Sequence, residues 1–265
     1  MPSSVKILVV GDIIGKGARN AFINYLPKLK EKYNYDIISV NAENTTHGRG
    51  LNYKHYLMYN DMNIDVLTMG NHVLDNSEIY DYIGKTNNLV VPGNINYEVE
   101  KLNNHKEVNI DSNGYTIKFI NLLETLNNKE KFDIIDPLMY FDSIYKADEK
   151  TIYVIDYHAE MTLQKNLLGY YVDGRASLVY GTHTHVQTCD ERTLPNGTAF
   201  ITDVGMCGSF QSIIGYDYQS FLDRIKNKTS TVVSTKTPFM VNALFVEIDL
   251  KTKKAIKIER INEKM

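Results

Sequence analysis

Cysteine, long hydrophobic runs and net charge are all scarce in this sequence of 265 residues. The two cysteines, Cys189 and Cys207, form neither a Cys-x-x-Cys motif nor a disulfide framework. We therefore expect reduced thiols in a cytoplasmic protein. No apolar run approaches the length of a membrane span, and the run at residues 7–10 is too short for a signal-peptide core. The sequence thus predicts no membrane segment.

The charge balance excludes recruitment by a general basic field. The formal net charge is -3, so neither stable nucleic-acid binding nor attachment to an anionic membrane is expected. A substrate that carries phosphate would need a local source of positive charge.

Length and composition favour one α/β domain over residues 1–265. The chain is 43% hydrophobic and 23% charged, which is ordinary for a globular protein. In the first third, apolar strands alternate with helices, an order that indicates a parallel sheet with crossover helices. The predicted strands are residues 6–10, 36–41, 65–69 and 89–91, and the predicted helices are residues 18–33, 53–62 and 77–83. Pro27 predicts a kink or a break in the first helix.

The later part of the chain has a less regular order of elements. Strands are predicted at residues 115–123, 152–155, 178–180 and 198–202, helices at 133–147 and 162–171, and a hairpin at 242–249 and 255–261. Pro137 is expected to interrupt the first of these helices. Residues 205–215 are expected to form an irregular loop.

Polar groups that can bind metal follow three strands of the first third. They are Asp12, then Glu43 with Asn44, and then Asn71 with His72. Ligand sites in open α/β sheets lie outside the carboxyl ends of the strands. We therefore expect these groups to meet at one site.

Histidines follow two later strands. His158 ends one of them, and residues 181–185 read Gly-Thr-His-Thr-His. Side chains two apart on an extended chain point to the same side, so His183 and His185 are expected to reach one place. Oxygen and imidazole ligands without thiolate suit Fe, Mn, Co or Zn in a catalytic site. The set exceeds one coordination sphere, but it suffices for two ions if a carboxylate bridges them.

These motifs, in this order, resemble those of the calcineurin-like metallophosphoesterases. The carriers of the resemblance are Gly11-Asp12, Gly70-Asn71-His72, His158 and the block at residues 181–185. Two departures are informative: Ile14 stands where that family usually has His, and Asn41-Ala-Glu43-Asn44 replaces its second Gly-Asp motif. This pattern is similar to the bacterial YmdB-type subfamily, as are residues 68–72, 156–160, 181–188 and 201–206.

The resemblance implies an α/β fold, a four-layer α-β-β-α sandwich of two mixed sheets flanked by helices. It implies a phosphodiesterase for cyclic nucleotides, 2′,3′-cyclic nucleoside monophosphates above all, in which a metal-bridging hydroxide attacks and His72 is the general acid. Two divalent or mixed-valence ions per chain are implied, Fe or Mn before Zn or Co. One ion would take Asp12, Glu43, Asn44 and His185, and the second would take the shared Glu43 with Asn71, His158 and His183.

Two other functions remain open at this point. A phosphomonoesterase, such as a protein phosphatase or a nucleotidase, would use the same pair of ions. A regulatory protein could hold a nucleotide at this site with little turnover, although the full ligand set and His72 argue against it. The sequence names no residue that would bind the nucleotide, and it leaves the oligomeric state, including a homo-oligomer, open.

Overall fold

Two mixed β-sheets lie face to face with helices on their outer sides in the computed structural model, which describes residues 3–265. The strands are β1 (Ser4–Val10), β2 (Asp12–Ile13), β3 (Ile37–Asn41), β4 (Val66–Thr68), β5 (Leu89–Val90), β6 (Glu107–Ser112), β7 (Tyr115–Leu123), β8 (Thr151–His158), β9 (Leu178–Thr182), β10 (Arg192–Thr193), β11 (Ala199–Ile201), β12 (Met206–Ser209), β13 (Phe239–Asp249) and β14 (Ala255–Lys264). The helices are α1 (Gly15–Tyr33), α2 (Tyr53–Asp61), α3 (Ile79–Tyr82), α4 (Glu100–Asn103), α5 (Pro137–Ile144), α6 (Thr162–Tyr171) and α7 (Tyr218–Asn227), with a 3₁₀ turn at Ile83–Lys85.

The first sheet has the order β2-β12-β13-β1-β3-β4-β5, and β14 pairs with β13. Strands β1, β3, β4 and β5 are mutually parallel, as the alternation of strands and helices predicted. The hairpin of β13 and β14 joins this sheet antiparallel to β1. The second sheet has the order β10-β11-β9-β8-β7-β6, and its central strands are parallel.

The strand β1 shows why the chain stacks into four layers. Its side chains alternate between two apolar cores, so a continuous hydrophobic run is buried on both faces. Ile7 and Val9 face the second sheet, where Val154 lies in the same core. Leu8 packs on the other face with Phe22 of α1. A third core lies between the second sheet and helices α5 and α6. The predicted four-layer sandwich is therefore confirmed.

Three local expectations need correction. Of the two outcomes predicted at Pro27, a kink or a break, the break is wrong: helix α1 continues through Pro27, and Phe22 and Leu29 on either side of it are buried. Pro137 does not interrupt a helix but starts α5, where the Asp136 side chain accepts the amide of Leu138. Residues 206–209 form β12 instead of a loop, because they pair with β2 on one side and β13 on the other.

Strands β1, β3 and β4 of the first sheet and β8 and β9 of the second end on the same side of the sandwich, as the side-chain contacts below show. Gly11 allows the chain to pass there, since a Cβ at this position would lie 1.9 Å from the carbonyl oxygen of Gly205. Within residues 3–265 no helix is both long and apolar enough to cross a membrane.

Candidate metal centre

The side chains predicted as ligands converge in two groups. In the first group, His158 Nε2 lies 3.0 Å from each of three other atoms: Glu43 Oε1, Asn71 Oδ1 and His183 Nδ1. A single ring nitrogen cannot form good hydrogen bonds with all three. Ligand atoms that share one ion at about 2.0–2.2 Å necessarily lie about 3 Å apart. The spacing of this group is that of a coordination sphere.

The second group lies beside the first and includes Asp12. His185 Nε2 is 3.3 Å from Asn44 Oδ1 and 4.0 Å from Asp12 Oδ1. The Asn44 amide nitrogen donates to the carbonyl of Gly48 at 2.9 Å, which turns its oxygen towards His185. Asp12 Oδ1 is buried and has no hydrogen-bond partner among residues 3–265. A buried carboxylate oxygen without a donor is costly unless a cation compensates it.

Gly70 permits the close approach of the two sheets at this point. A Cβ there would lie 2.4 Å from Glu43 Oε2 and 2.5 Å from His158 Nε2. Any other residue would therefore push apart the carboxylate from the first sheet and the imidazole from the second.

Each of the three histidines uses one ring nitrogen as an anchor and turns the other into the site. His158 Nδ1 lies 2.8 Å from the hydroxyl of Thr182, and His185 Nδ1 lies 2.9 Å from the carbonyl of Ile214. His183 is reversed, because its Nε2 lies 3.2 Å from Glu160 Oε2 and its Nδ1 faces the site. Such partners fix the tautomer of a ligating histidine and raise its basicity.

The anchor of His158 extends to a buried carboxylate. The Thr182 hydroxyl donates to Asp156 Oδ1 at 2.7 Å, so its lone pairs must accept the Nδ1–H of His158. That leaves the Nε2 lone pair of His158 free for a ligand. Burial raises the pKa of Asp156 to about 6, against the charge of His158 and three hydrogen bonds that lower it. The sequence motifs include Asp156 and Glu160, but their spacing gave neither residue a role.

The Gly-Thr-His-Thr-His segment reaches the site by a route that the sequence did not predict. His183 and His185 have φ angles of 98° and 64°, so the chain is not extended there. The two side chains consequently join different ligand groups. Asp203 holds the turn, since its Oδ2 accepts the Thr184 hydroxyl at 2.7 Å and the Lys165 ammonium at 2.6 Å. Lys165 and Asp203 are both 1% exposed.

The buried carboxylates of the site favour the binding of cations. Burial raises the pKa of Asp12 well above its ordinary value. Burial also opposes ionisation of Glu43, but the charge and hydrogen bond of His158 outweigh it, and the pKa of Glu43 is lowered. Burial alone would lower the pKa of His158, yet Glu43 raises it to about 9. Burial and the charge of His158 lower the pKa of His183 to about 3.

When no metal is bound, a proton on His158 therefore compensates the negative charge of Glu43, whereas Asp12 has no such partner. Metal ions would take the place of that proton and would neutralise Asp12, because ligating histidines bind in the neutral form. The donor set, its spacing and the orphaned oxygen of Asp12 all fit divalent metal. Glu43, His158 and His183 offer three ligand atoms within 4.8 Å of one another.

His72 lies beside the ligands and is held differently. Its backbone amide donates to Glu43 Oε2 at 3.1 Å, while its ring Nδ1 lies 2.6 Å from Asp75 Oδ2. Lys131 contacts the other oxygen of Asp75 at 2.7 Å. The hydrogen bonds from His72 and Lys131 lower the pKa of Asp75 to about 2, against a smaller effect of burial. Asp75 thus holds the His72 ring through Nδ1 and leaves Nε2 free of that contact; sequence motifs gave Asp75 no role.

Four of the proposed ligands line an open cleft of about 470 Å³: Glu43, Asn44, His183 and His185. His72 and Glu160 line it with them. Arg49, Tyr216 and Arg224 also belong to its lining. The cleft thus gives a small molecule access to the ligand groups and to His72.

The fold and this site define a metallophosphoesterase. A putative 5′-nucleotidase from Staphylococcus aureus shares the fold, with a TM-score of 0.58 and 14% sequence identity over 98% of this chain and 54% of that one. A crystal structure described as a novel phosphatase, from Mycoplasma pneumoniae, matches with a TM-score of 0.91 and 36% identity over 100% of this chain and 95% of the other.

Within that class, the profile described as YmdB-like protein matches residues 8–261. The 2′,3′-cyclic-nucleotide 2′-phosphodiesterase of Bacillus subtilis (strain 168) is 42% identical over 262 residues, which are 97% of this chain and 96% of that protein. The chain therefore belongs to the YmdB-like family. The expectation that it is a hydrolase of phosphoric esters is confirmed.

Proposed function

We propose that this enzyme is a dinuclear-metal phosphodiesterase that hydrolyses 2′,3′-cyclic nucleoside monophosphates. The observation that supports the proposal is the division of the ligand side chains into two adjacent groups. Glu43 Oε1 lies 3.0 Å from His158 Nε2 in the first group, and the His183 backbone amide of that group lies 3.3 Å from Asp12 Oδ2 in the second. The Bacillus subtilis relative is named for the same reaction.

Two coordination spheres follow from the two groups. The first would consist of Asp12, Glu43, Asn44 and His185, and the second of Glu43, Asn71, His158 and His183. Fe or Mn suit these oxygen and imidazole ligands, with Zn or Co as alternatives. A pair of bound ions supplies an activated water near neutral pH and neutralises the oxygens of the phosphoryl group.

The residues of the chain would orient the substrate and manage one proton. His72 lines the cleft next to the ligands, and Asp75 holds its Nδ1, so the doubly protonated ring could give its Nε2 proton to the ribose oxygen that leaves phosphorus and become neutral. A ribose alkoxide is a poor leaving group, and a positioned acid typically contributes about 10²–10⁴-fold. Asp75 and Lys131 would hold the ring in place without touching the substrate.

The whole chain of residues 1–265 would act as one domain for this reaction. The two ligand groups draw on both sheets, since Asp12, Glu43 and Asn71 follow strands of the first sheet and His158 ends a strand of the second. Neither sheet alone would carry a complete site. Division of the chain between the sheets would therefore abolish metal binding.

The test is a comparison of four substrates at fixed metal content. We expect 2′,3′-cyclic AMP and bis-p-nitrophenyl phosphate to be hydrolysed faster than AMP and p-nitrophenyl phosphate. Faster turnover of the two monoesters would replace this proposal by a phosphomonoesterase. Binding of 2′,3′-cyclic AMP without turnover of any of the four by metal-loaded protein would indicate a regulatory nucleotide-binding protein instead.

A further inference from the structure

A second cavity, of about 550 Å³, opens next to the metal centre and is lined by basic and hydroxyl side chains. The basic residues are Arg49, Arg224 and Lys228, and His47 lies with them. Tyr216 and Ser230 supply hydroxyl groups. None of the residues that line this cavity is Asp or Glu. We call it the basic pocket; it concentrates positive charge in a chain whose net charge is -3.

The positive charges of the basic pocket are poorly compensated. Arg49 Nη1 is 4.0 Å from Asp75 Oδ2, but that carboxylate already binds His72 and Lys131 at much shorter distances. Across residues 3–265, no carboxylate oxygen comes within 4.0 Å of a side-chain nitrogen of Arg224 or Lys228. Asp223, next to Arg224, accepts from Gln219 on its own helix. An anion entering the pocket would therefore meet cations that have no other strong partner.

The basic pocket and the metal cleft adjoin each other, because Arg49, Tyr216 and Arg224 line both. The Tyr216 hydroxyl donates to the carbonyl of Gly48 at 3.3 Å, and that carbonyl also accepts from Asn44 at 2.9 Å. This chain of hydrogen bonds fixes the shared wall to a proposed metal ligand. A ligand in the cleft would therefore lie beside Arg49 and Arg224, which also line the basic pocket.

The direction of the substrate follows from His72. The ribose oxygen that His72 would protonate places the sugar on the His72 side of the phosphorus atom. On that side, Asp75 Oδ2 lies 2.6 Å from His72 Nδ1 and 4.0 Å from Arg49 Nη1. The sugar and its 5′ substituent would therefore extend towards Arg49 and the basic pocket.

We propose that the basic pocket is a subsite for a phosphate at the 5′ position of the 2′,3′-cyclic nucleotide, one ribose away from the scissile phosphate. The inference rests on the proposed function and adds the substrate class to it. Two sources supply this chemistry. One is a mononucleotide with a 5′-phosphate, and the other is the last nucleotide of an RNA fragment, whose 5′ phosphate is an internucleotide diester.

A simpler role for Arg224 is to complement the C-terminal end of helix α7. Arg224 and Lys226 both lie in its last turn, where cations interact favourably with the helix dipole. Lys226 does not line either cavity. It therefore offers a matched control, since Lys226→Gln removes the same charge from the same helix without touching the pocket.

The experiment compares three substrates that share one scissile group. They are adenosine 2′,3′-cyclic phosphate with a free 5′-hydroxyl, the same compound with a 5′-phosphate, and an adenylyl dinucleotide that ends in the cyclic phosphate. We expect kcat/KM to rise about tenfold with the added phosphate, the effect of one charge-assisted hydrogen bond. A gain with the mononucleotide alone identifies a terminal phosphate, and a gain with the dinucleotide identifies an RNA end.

The variants assign the gain to the pocket. The preference is the ratio of kcat/KM with and without the 5′ phosphate. Lys228→Gln should reduce this ratio about threefold, as expected for the loss of an exposed ion pair. Arg224→Gln should reduce it about tenfold, as expected for the loss of a charge-assisted hydrogen bond. Lys228→Gln should leave kcat/KM for the 5′-hydroxyl substrate unchanged. Lys226→Gln should change neither quantity. Equal kcat/KM for all three substrates, or an equal effect of Lys228→Gln and Lys226→Gln, would overturn the subsite.

A binding measurement separates this inference from the proposed function. Adenosine 3′,5′-bisphosphate should bind about tenfold more tightly than adenosine 3′-monophosphate by calorimetry, and Lys228→Gln should reduce the difference. If the cyclic substrates are not hydrolysed but this difference is found, the proposed reaction is wrong and the subsite stands. If hydrolysis is found without the difference, the subsite is wrong and the reaction stands.

Discussion

The metal centre and the basic pocket lie side by side, yet they are built on opposite principles. The centre is buried and its carboxylates, Asp12 and Glu43, follow strands of a sheet whose register fixes them. The pocket is lined by exposed side chains of a loop and of helix α7, in which no residue is buried. Buried charges must be compensated atom by atom, whereas exposed charges are screened by water and salt.

The comparison has a direct consequence for substitutions. Changes at the centre should abolish metal binding or alter it by orders of magnitude. Changes at the pocket should alter affinity by a few fold and leave the chemistry intact. The four predictions below run from the first kind of effect to the second.

Glu43→Gln should have the largest effect, because under the proposed function both ions share this carboxylate, whose Oε1 lies 3.0 Å from His158 Nε2. We expect both ions to bind weakly and activity on every phosphoester to be lost. Metal content after dialysis, measured by elemental analysis, checks this. Asp12→Asn is the matched change, and it should weaken only the ion on the His185 side. Equal losses from the two variants would contradict a bridging role for Glu43.

His72→Ala should keep near-normal metal content but reduce hydrolysis of 2′,3′-cyclic AMP by about 10²–10⁴-fold, the usual contribution of a general acid. Hydrolysis of bis-p-nitrophenyl phosphate should fall much less, because p-nitrophenolate leaves without a proton. Rates on the two substrates at matched metal content provide the measurement. Equal losses on both, or loss of metal, would rule out the acid role.

Thr182→Val should weaken metal binding by about 10–100-fold, the usual effect of losing the partner of a ligating histidine. The change keeps the shape of the side chain but removes the hydroxyl between His158 and Asp156. Thr198→Val is the control, since Thr198 is equally buried and its hydroxyl bonds the carbonyl of Ala176 instead. If metal titrations of the two variants coincide, the anchor of His158 has no role in binding.

Salt should have the smallest effect and should act on the pocket alone. The Debye length falls from about 30 Å at 0.01 M to about 10 Å at 0.1 M ionic strength. We therefore expect the preference for a 5′-phosphate to fall a few fold over this range, while kcat on 2′,3′-cyclic AMP stays nearly constant. Steady-state kinetics at the two salt concentrations measure both. A preference that does not change with salt would contradict an electrostatic subsite.

The two regions also differ in how far the sequence revealed them. The strand order and the polar groups after the strands follow from local patterns, so Asp12, Glu43, Asn71 and His158 could be selected without a structure. The basic pocket could not, because it joins residues 47–49 to residues 216–231 and neither segment carries a motif. Helix α7 was not predicted either, although Tyr218, Phe221, Leu222 and Ile225 recur at the spacing of an apolar helix face.

Within the centre, the sequence identified the groups that face inwards but not their supports. Thr182, Glu160 and Asp75 orient histidines from positions that no spacing rule singles out. The expectation that extended geometry brings His183 and His185 to one place was wrong. Both residues have positive φ, the contact of Thr184 with Asp203 holds the turn between them, and their side chains join different ligand groups.

The number of metal ions per chain tests the central claim most directly. Protein saturated with Mn or Fe and then freed of loosely bound ions can be measured by elemental analysis against its amino-acid content. Two groups of ligands joined at Glu43 predict about two ions per chain. A saturating value of one ion per chain would contradict the dinuclear site, however active the enzyme proved to be.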